Sequence, residues 1–250
     1  MTTSMDRPGS DARAERDILV PASQEVNILG WALEQLRQLA LEISLHETLP
    51  IMLATQNGEI TREKQGKVVL AVQSLTELVH DVDTAEHVLR VMQLAEITAH
   101  QLAQPPEQLY LIRLAALLHD LGKIGIPDVI LLKSEALTGE EWDIMRCHPD
   151  IGRQLLEQAG GIFSSVATIV GMHHERWDGR GYPRGATKDN IPLGARILAV
   201  VDAYDAMTSP RVYQKNPHSA IQARTELQRC AGSQFDPRVV EVFLKVIEHD

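Results

Sequence analysis

Between Glu25 and Leu53 the apolar residues Ile28, Ala32, Leu36, Leu39 and Ile43 return at steps of three and four, the period of one helix face. Gln56-Asn57-Gly58 interrupts the run. Thr61 can then cap a second helix whose face carries Val68, Val72, Leu75 and Val79. From Asp81 onward one helical pattern follows another. Val88, Val91, Met92, Ala95 and Leu102 form a stripe that ends at Pro105-Pro106. Leu109 to Leu121 is apolar almost all round, as expected of a central buried helix, and Gly122 stops it. Thr138-Gly139-Glu140-Glu141 has the form of a capping box, and Asp236-Pro237 that of an N-cap followed by proline at the first helical position. No run of alternating strands occurs, and the expected fold class is all-α.

The pattern divides the chain into three parts. Residues 1–24 are polar and aperiodic and read as a disordered tail. Residues 25–80 read as a helical hairpin that packs on the main domain or on a second copy of the chain. Residues 81–250 carry the chemistry.

Composition narrows the function. At 250 residues and 44% hydrophobic content, the chain can bury one large core. A formal net charge of −10 argues against general binding to DNA or RNA, whose nonspecific affinity comes from Lys and Arg on phosphates. Cys147 and Cys230 stand in unrelated contexts and imply neither a disulfide framework nor a zinc knuckle. No secretory leader and no membrane-spanning apolar run is legible, so the expected compartment is the cytoplasm.

Metal ligands gather in the third part. His119-Asp120 ends the apolar helix, where an unpaired charge is costly and a cation would relieve that cost; an Asp there can bridge two cations. His87 follows Asp83 by four residues, so both can face one metal, although Asp83 can equally be the N-cap of the His87 helix. His148 precedes Pro149, which biases it out of helical conformation and marks a helix boundary. His173 and His174 end another helix, just before the glycine-rich segment 175–185. Asp202 and Asp205 lie three apart on an apolar helix; one can bind metal while the other orients a ligand or a lysine. His46, His80, His100, His218 and His249 have no such company and are expected to be ordinary. Imidazole and carboxylate without thiolate suit iron or manganese better than structural zinc.

The motifs resemble those of the HD-GYP family, a branch of the HD-domain metal-dependent phosphohydrolases. The resemblance runs from Asp81-x-x-Thr84-x-x-His87-x-x-Arg90-Val91 through His119-Asp120-x-Gly122-Lys123-Ile124-Gly125-Ile126-Pro127-Asp128 and Met145-Arg146-x-His148-Pro149-x-x-Gly152. It continues through His173-His174-Glu175-x-x-Asp178-Gly179-x-Gly181-Tyr182-Pro183-x-Gly185 to Asp202-x-x-Asp205-Ala206-Met207-Thr208-x-x-Arg211-x-Tyr213 and Phe235-Asp236-Pro237. It implies a five-helix HD core extended by further helices. It also implies hydrolysis of cyclic di-GMP to pGpG, and often GMP, by a hydroxide bridging two or three divalent metals, commonly iron or manganese. The implied ligands are His87, His119, Asp120, His148, His173, His174 and Asp202. Lys123 would approach the scissile phosphate, Arg211 would hold a phosphate, and Asp205 would support Lys123 or the metal shell. The Tyr182 loop would shape the pocket rim and offer a surface to a diguanylate cyclase or another signalling protein.

Four departures stand out. Asp83 replaces a common aromatic and resembles a trinuclear subgroup, Val212 replaces the usual proline before Tyr213 while a proline stands at Pro210, Gln214 takes an often-basic position with Lys215 next, and Lys133-Ser134-Glu135 replaces Lys-Pro-Gly. Two other functions remain open at this level: hydrolysis of another cyclic dinucleotide such as 3′,3′-cyclic GMP-AMP, and a non-catalytic module that binds partner proteins.

Overall fold

A computed structural model describes residues 25–45, 85–209 and 217–248. Asp83, Arg211 and the second helix expected between Thr61 and Val79 lie outside the described residues, as does the segment 1–24. Among the described residues the protein is helical, with a single isolated bridge, Ala231 to Phe235.

Helix α1 spans Glu25–Leu45, α2 Ala85–Gln101 and α3 Pro106–Leu118. A 3-10 turn, Leu121–Gly125, leads to α4 (Asp128–Leu131), α5 (Gly139–Met145), α6 (His148–Ala159) and α7 (Phe163–Val170). After the glycine-rich segment come α8 (Leu193–Thr208), α9 (Ala220–Cys230) and α10 (Pro237–Val246). The capping signals act as read: Thr138 and Glu141 form the reciprocal box at α5, and the Asp236 carboxylate accepts the amide of Arg238 at α10.

The core is built on α3. Its residues Ile112, Leu114, Ala115, Ala116, Leu117 and Leu118 are all buried. Helices α2, α7 and α8 pack on it, α6 packs on α7, and α10 closes over α2 and α8. Ala32, Leu36, Leu39 and Ala40 of α1 join the same core, with α1 lying on α6.

Two local expectations give way. Gly122 does not end the apolar helix: α3 stops at Leu118, His119 caps it, and the chain tightens through Asp120 into the 3-10 turn. Gly122 is needed for a close approach instead, since a Cβ on it would lie 1.8 Å from the carbonyl oxygen of His148. His148 is not driven out of helical conformation by Pro149, but is itself the first residue of α6. The amides of Asp150 and Ile151 bond to the Cys147 carbonyl, and a proline in the first turn sacrifices no helical hydrogen bond.

Candidate metal centre

The helix ends converge. His87 sits near the start of α2, His119-Asp120 follows α3, His148 opens α6, His173-His174 follow α7, and Asp202 lies on α8. Their ligand atoms form two groups, each within 4.8 Å: Asp120, His148, His173 and His174 in one, and His87, His119 and Asp202 in the other. Asp120 stands between them. Its Oδ2 is 3.2 Å from His119 Nε2, and its Oδ1 is 3.3 Å from His148 Nε2 and 3.9 Å from His173 Nε2.

The imidazoles are aimed from behind by the backbone. Nδ1 of His119 donates to the Ala116 carbonyl at 2.8 Å, that of His148 to Met145 at 2.8 Å, and that of His173 to Val170 at 2.6 Å. In each case the acceptor is three residues earlier, at a helix end whose last carbonyls have no intrahelical partner. The tautomer is thereby fixed, and the Nε2 lone pairs point inward.

His148 Nε2 and His173 Nε2 lie 3.4 Å apart. His119 Nε2 is buried and faces Asp120 Oδ2. Converging imidazoles beside a two-sided carboxylate are a donor set for divalent cations, so the residues fit the metals that the motifs imply.

The electrostatics agree. Burial alone would raise Asp120, but Lys123 and His119 beside it hold its carboxyl well below the usual range. Burial opposes charge on His119, yet Asp120 lifts it to about 9. Burial, then His148 and His119, push His173 down to about 3; burial and His173 push His174 far below its ordinary value, and burial lowers His148. Three imidazoles of the Asp120 group are therefore neutral at pH 7, as ligation requires.

The remaining residues singled out by sequence fall around this centre. Lys123 Nζ is 2.9 Å from Asp120 Oδ2. The Tyr182 ring lies 4.9 Å from that of His174, centroid to centroid, with the Arg146 guanidinium 5.8 Å from the tyrosine ring. Asp205 is buried and bonds to His87 Nδ1 at 2.6 Å, lying behind that ligand. His100 and His218 are exposed, as expected; His46, His80 and His249 lie outside the described residues.

Two residues quoted in the motifs had no role read for them. Glu175 is buried, and its carboxylate accepts the backbone amides of Arg184 at 2.6 Å and Ala186 at 3.0 Å, tying down the Tyr182 loop. Arg90 bonds to Asp205 with two nitrogens. Glu175 carried a faint signal, an acidic residue beside two ligands and ahead of a glycine-rich turn; Arg90 carried one in its three-residue spacing from His87.

Residues 59–239 match the model of a family described as HD domain. The chain belongs to the HD domain family, in its HD-GYP branch. A Cyclic di-GMP phosphodiesterase of Thermotoga maritima is 42% identical over 179 residues, covering 71% of this chain and 48% of that protein. A 3′3′-cGAMP-specific phosphodiesterase 2 of Vibrio cholerae is 39% identical over 164 residues, covering 65% of this chain and 31% of that protein. The chain spans about half, or less, of the length of the curated relatives it matches. Among solved structures, an HDGYP protein of Bdellovibrio bacteriovorus has a TM-score of 0.55 at 19% identity, covering 95% of this chain and 75% of that one; the two share a fold. Among the described residues no helix is long and apolar enough to cross a membrane.

Proposed function

We propose that this chain is a metal-dependent phosphodiesterase that hydrolyses cyclic di-GMP to pGpG, with GMP as the further product. The observation that carries the reading is the position of Asp120, one oxygen toward each of two ligand groups. In that position it would join two cations, held otherwise by His148, His173 and His174 on one side and by His87, His119 and Asp202 on the other. Iron or manganese suits these donors. The cations, when bound, would supply activated water for in-line attack on phosphorus and would neutralise charge there.

The protein's own groups do the rest. Lys123 would hold a non-bridging phosphate oxygen, and Arg211, assigned from the sequence, a second phosphate. Tyr182, pinned through Glu175, would form one wall. Asp83, also assigned from the sequence, would join His87 on the cation of the His87–His119–Asp202 group, because His87 Nδ1 is taken by Asp205 and Nε2 can serve only one ion. In the same reading the protein is cytoplasmic and does not bind DNA or RNA. The Tyr182 loop offers the surface for a diguanylate cyclase, and residues 25–80 offer one for a second copy of the chain.

The Vibrio cholerae relative supports one rival, hydrolysis of 3′,3′-cyclic GMP-AMP. Parallel assays on both dinucleotides with manganese-loaded protein decide between them: the reading holds if kcat/KM is higher for cyclic di-GMP and fails if it is higher for cyclic GMP-AMP. A non-catalytic module is the weaker rival, because every described ligand and Lys123 are retained; it would be indicated by full metal loading with no hydrolysis of either dinucleotide.

A further inference from the structure

The outer face of the α2–α8 crossing has a purpose that the ligand set alone does not explain. His87 and Arg90 stand three residues apart on α2, and Asp202 and Asp205 three apart on α8, so each pair shares a helix face. The helices bring the inner members together, His87 Nε2 at 3.6 Å from Asp202 Oδ1. They bring the outer members together more tightly. Arg90 Nε donates to Asp205 Oδ1 at 2.6 Å, and one terminal nitrogen donates to Oδ2 at 3.1 Å. The same terminal nitrogen reaches Ser209 Oγ, at the C-cap of α8, at 2.9 Å. Asp205 in turn accepts from His87 Nδ1 at 2.6 Å.

His87 is oriented differently from His119, His148 and His173. His119, His148 and His173 are each oriented by a carbonyl of their own preceding turn. His87 lies at the start of its helix and is oriented by a carboxylate from another helix, 118 positions away in sequence. A carboxylate has a rotatable χ2 and two equivalent oxygens, so on its own it does not define a direction. The planar guanidinium fork does, because it engages both oxygens of Asp205 at once. Ser209 keeps the fork from swinging away.

We propose that Arg90 is a positioning residue: acting through Asp205 it fixes the ring orientation and tautomer of His87, and so sets the affinity of the His87–His119–Asp202 group for its cation. The inference rests on the two-group metal reading above. Arg90 itself touches no reacting atom. Its action is local to one group, because His148 and His173 of the Asp120 group draw their orientation from helix ends elsewhere.

The test is a Mn(II) titration of the metal-free 250-residue chain, followed by calorimetry and by the electron paramagnetic resonance signal of free manganese. The variants are Arg90→Gln, Arg90→Lys, Asp205→Asn and the double variant Arg90→Gln/Asp205→Asn. Arg90→Gln weakens one binding step by about 10–100-fold, the range for loss of a residue behind a ligand, and leaves the other within about threefold. Arg90→Lys, which keeps the charge but not the fork, falls between. In the Asp205→Asn background the Arg90 change adds little, because its effect passes through that carboxylate.

Equal weakening of both steps, or full additivity in the double variant, overturns the proposal by showing a general packing role. An unchanged isotherm for Arg90→Gln overturns it alone. A wild-type isotherm with a single step overturns the two-group reading and this inference with it. Should Arg90→Gln fail to fold, Arg90→Lys against Asp205→Asn carries the same comparison.

Discussion

Asp120 and Lys123 are 2.9 Å apart and have different tasks. Asp120 faces both ligand groups, so Asp120→Ala is expected to lose metal and hydrolysis together; two ions per chain with near-normal turnover would contradict its bridging place. Lys123→Ala is expected to keep its metals and lose turnover by roughly 10²–10³, the effect of removing one transition-state donor. Parallel loss of metal, read by elemental analysis, would move Lys123 into the metal site.

The histidines also set the pH response of the metal-free protein. His173, near 3 when folded, takes up a proton on unfolding below its ordinary value of 6.5, and His148 and His174 are lowered in the same direction. Their contribution is present above about pH 6.5 and is lost as the pH falls toward each folded value. His119, lifted to about 9, acts oppositely: its contribution is full below 6.5 and is lost as the pH rises through 9. Thermal melts in chelator should therefore show greatest stability near neutrality. A melting temperature that rose steadily from pH 7 to pH 5 would contradict these environments.

At the scale of elements, the site depends on how closely the 3-10 turn approaches α6. Gly122→Ala would drive a methyl into the His148 carbonyl, and the turn carrying Asp120 would have to move. The expected result is a loss of about 1–3 kcal/mol in denaturant unfolding of the apoprotein, with weaker metal uptake. A fully loaded, equally stable variant would show that the approach is slack.

Glu175 governs a second element. Glu175→Ala strips two amides of the Tyr182 loop of their acceptor. Protease cleavage between residues 176 and 186 should then quicken by about tenfold or more, as a lost bond worth 1–3 kcal/mol requires. Unchanged cleavage would mean that the loop is held elsewhere.

These same elements show what could be read in advance. Caps at Thr138 and Asp236, the stripe of α2 and the apolar α3 are local patterns, legible because the side chains that make them are neighbours in sequence. His119, Asp120, His173 and His174 were legible for a related reason: a histidine or aspartate at the end of an apolar helix is chemically out of place, and Asp202 stood out as a charge within the apolar α8. The Arg90–Asp205 fork, the Glu175 clasp and the true task of Gly122 were not. Each joins segments whose closeness only the packed fold creates, and a spacing in sequence cannot express it. His148 misled because the pre-proline bias is weaker than a first helical turn already closed by Cys147.

Across the whole molecule, one core brings together seven candidate ligands from five helices and their ends, with Asp120 between the two groups. With a net charge of −10, the chain would have to attract the proposed anionic substrate locally, through the cations of the proposed centre and Lys123. Burying neutral imidazoles against one another lowers the stability of the empty site, so metal loading should raise the melting temperature in a concentration-dependent way. The most direct measurement combines both requirements on one sample: anaerobic purification, elemental analysis, then chromatographic identification of products from cyclic di-GMP. The account predicts at least two iron or manganese ions per chain and conversion to pGpG that stops on chelation and returns on adding the metal. Protein that carries no transition metal, or that still turns the dinucleotide over at full rate after chelation, would contradict it.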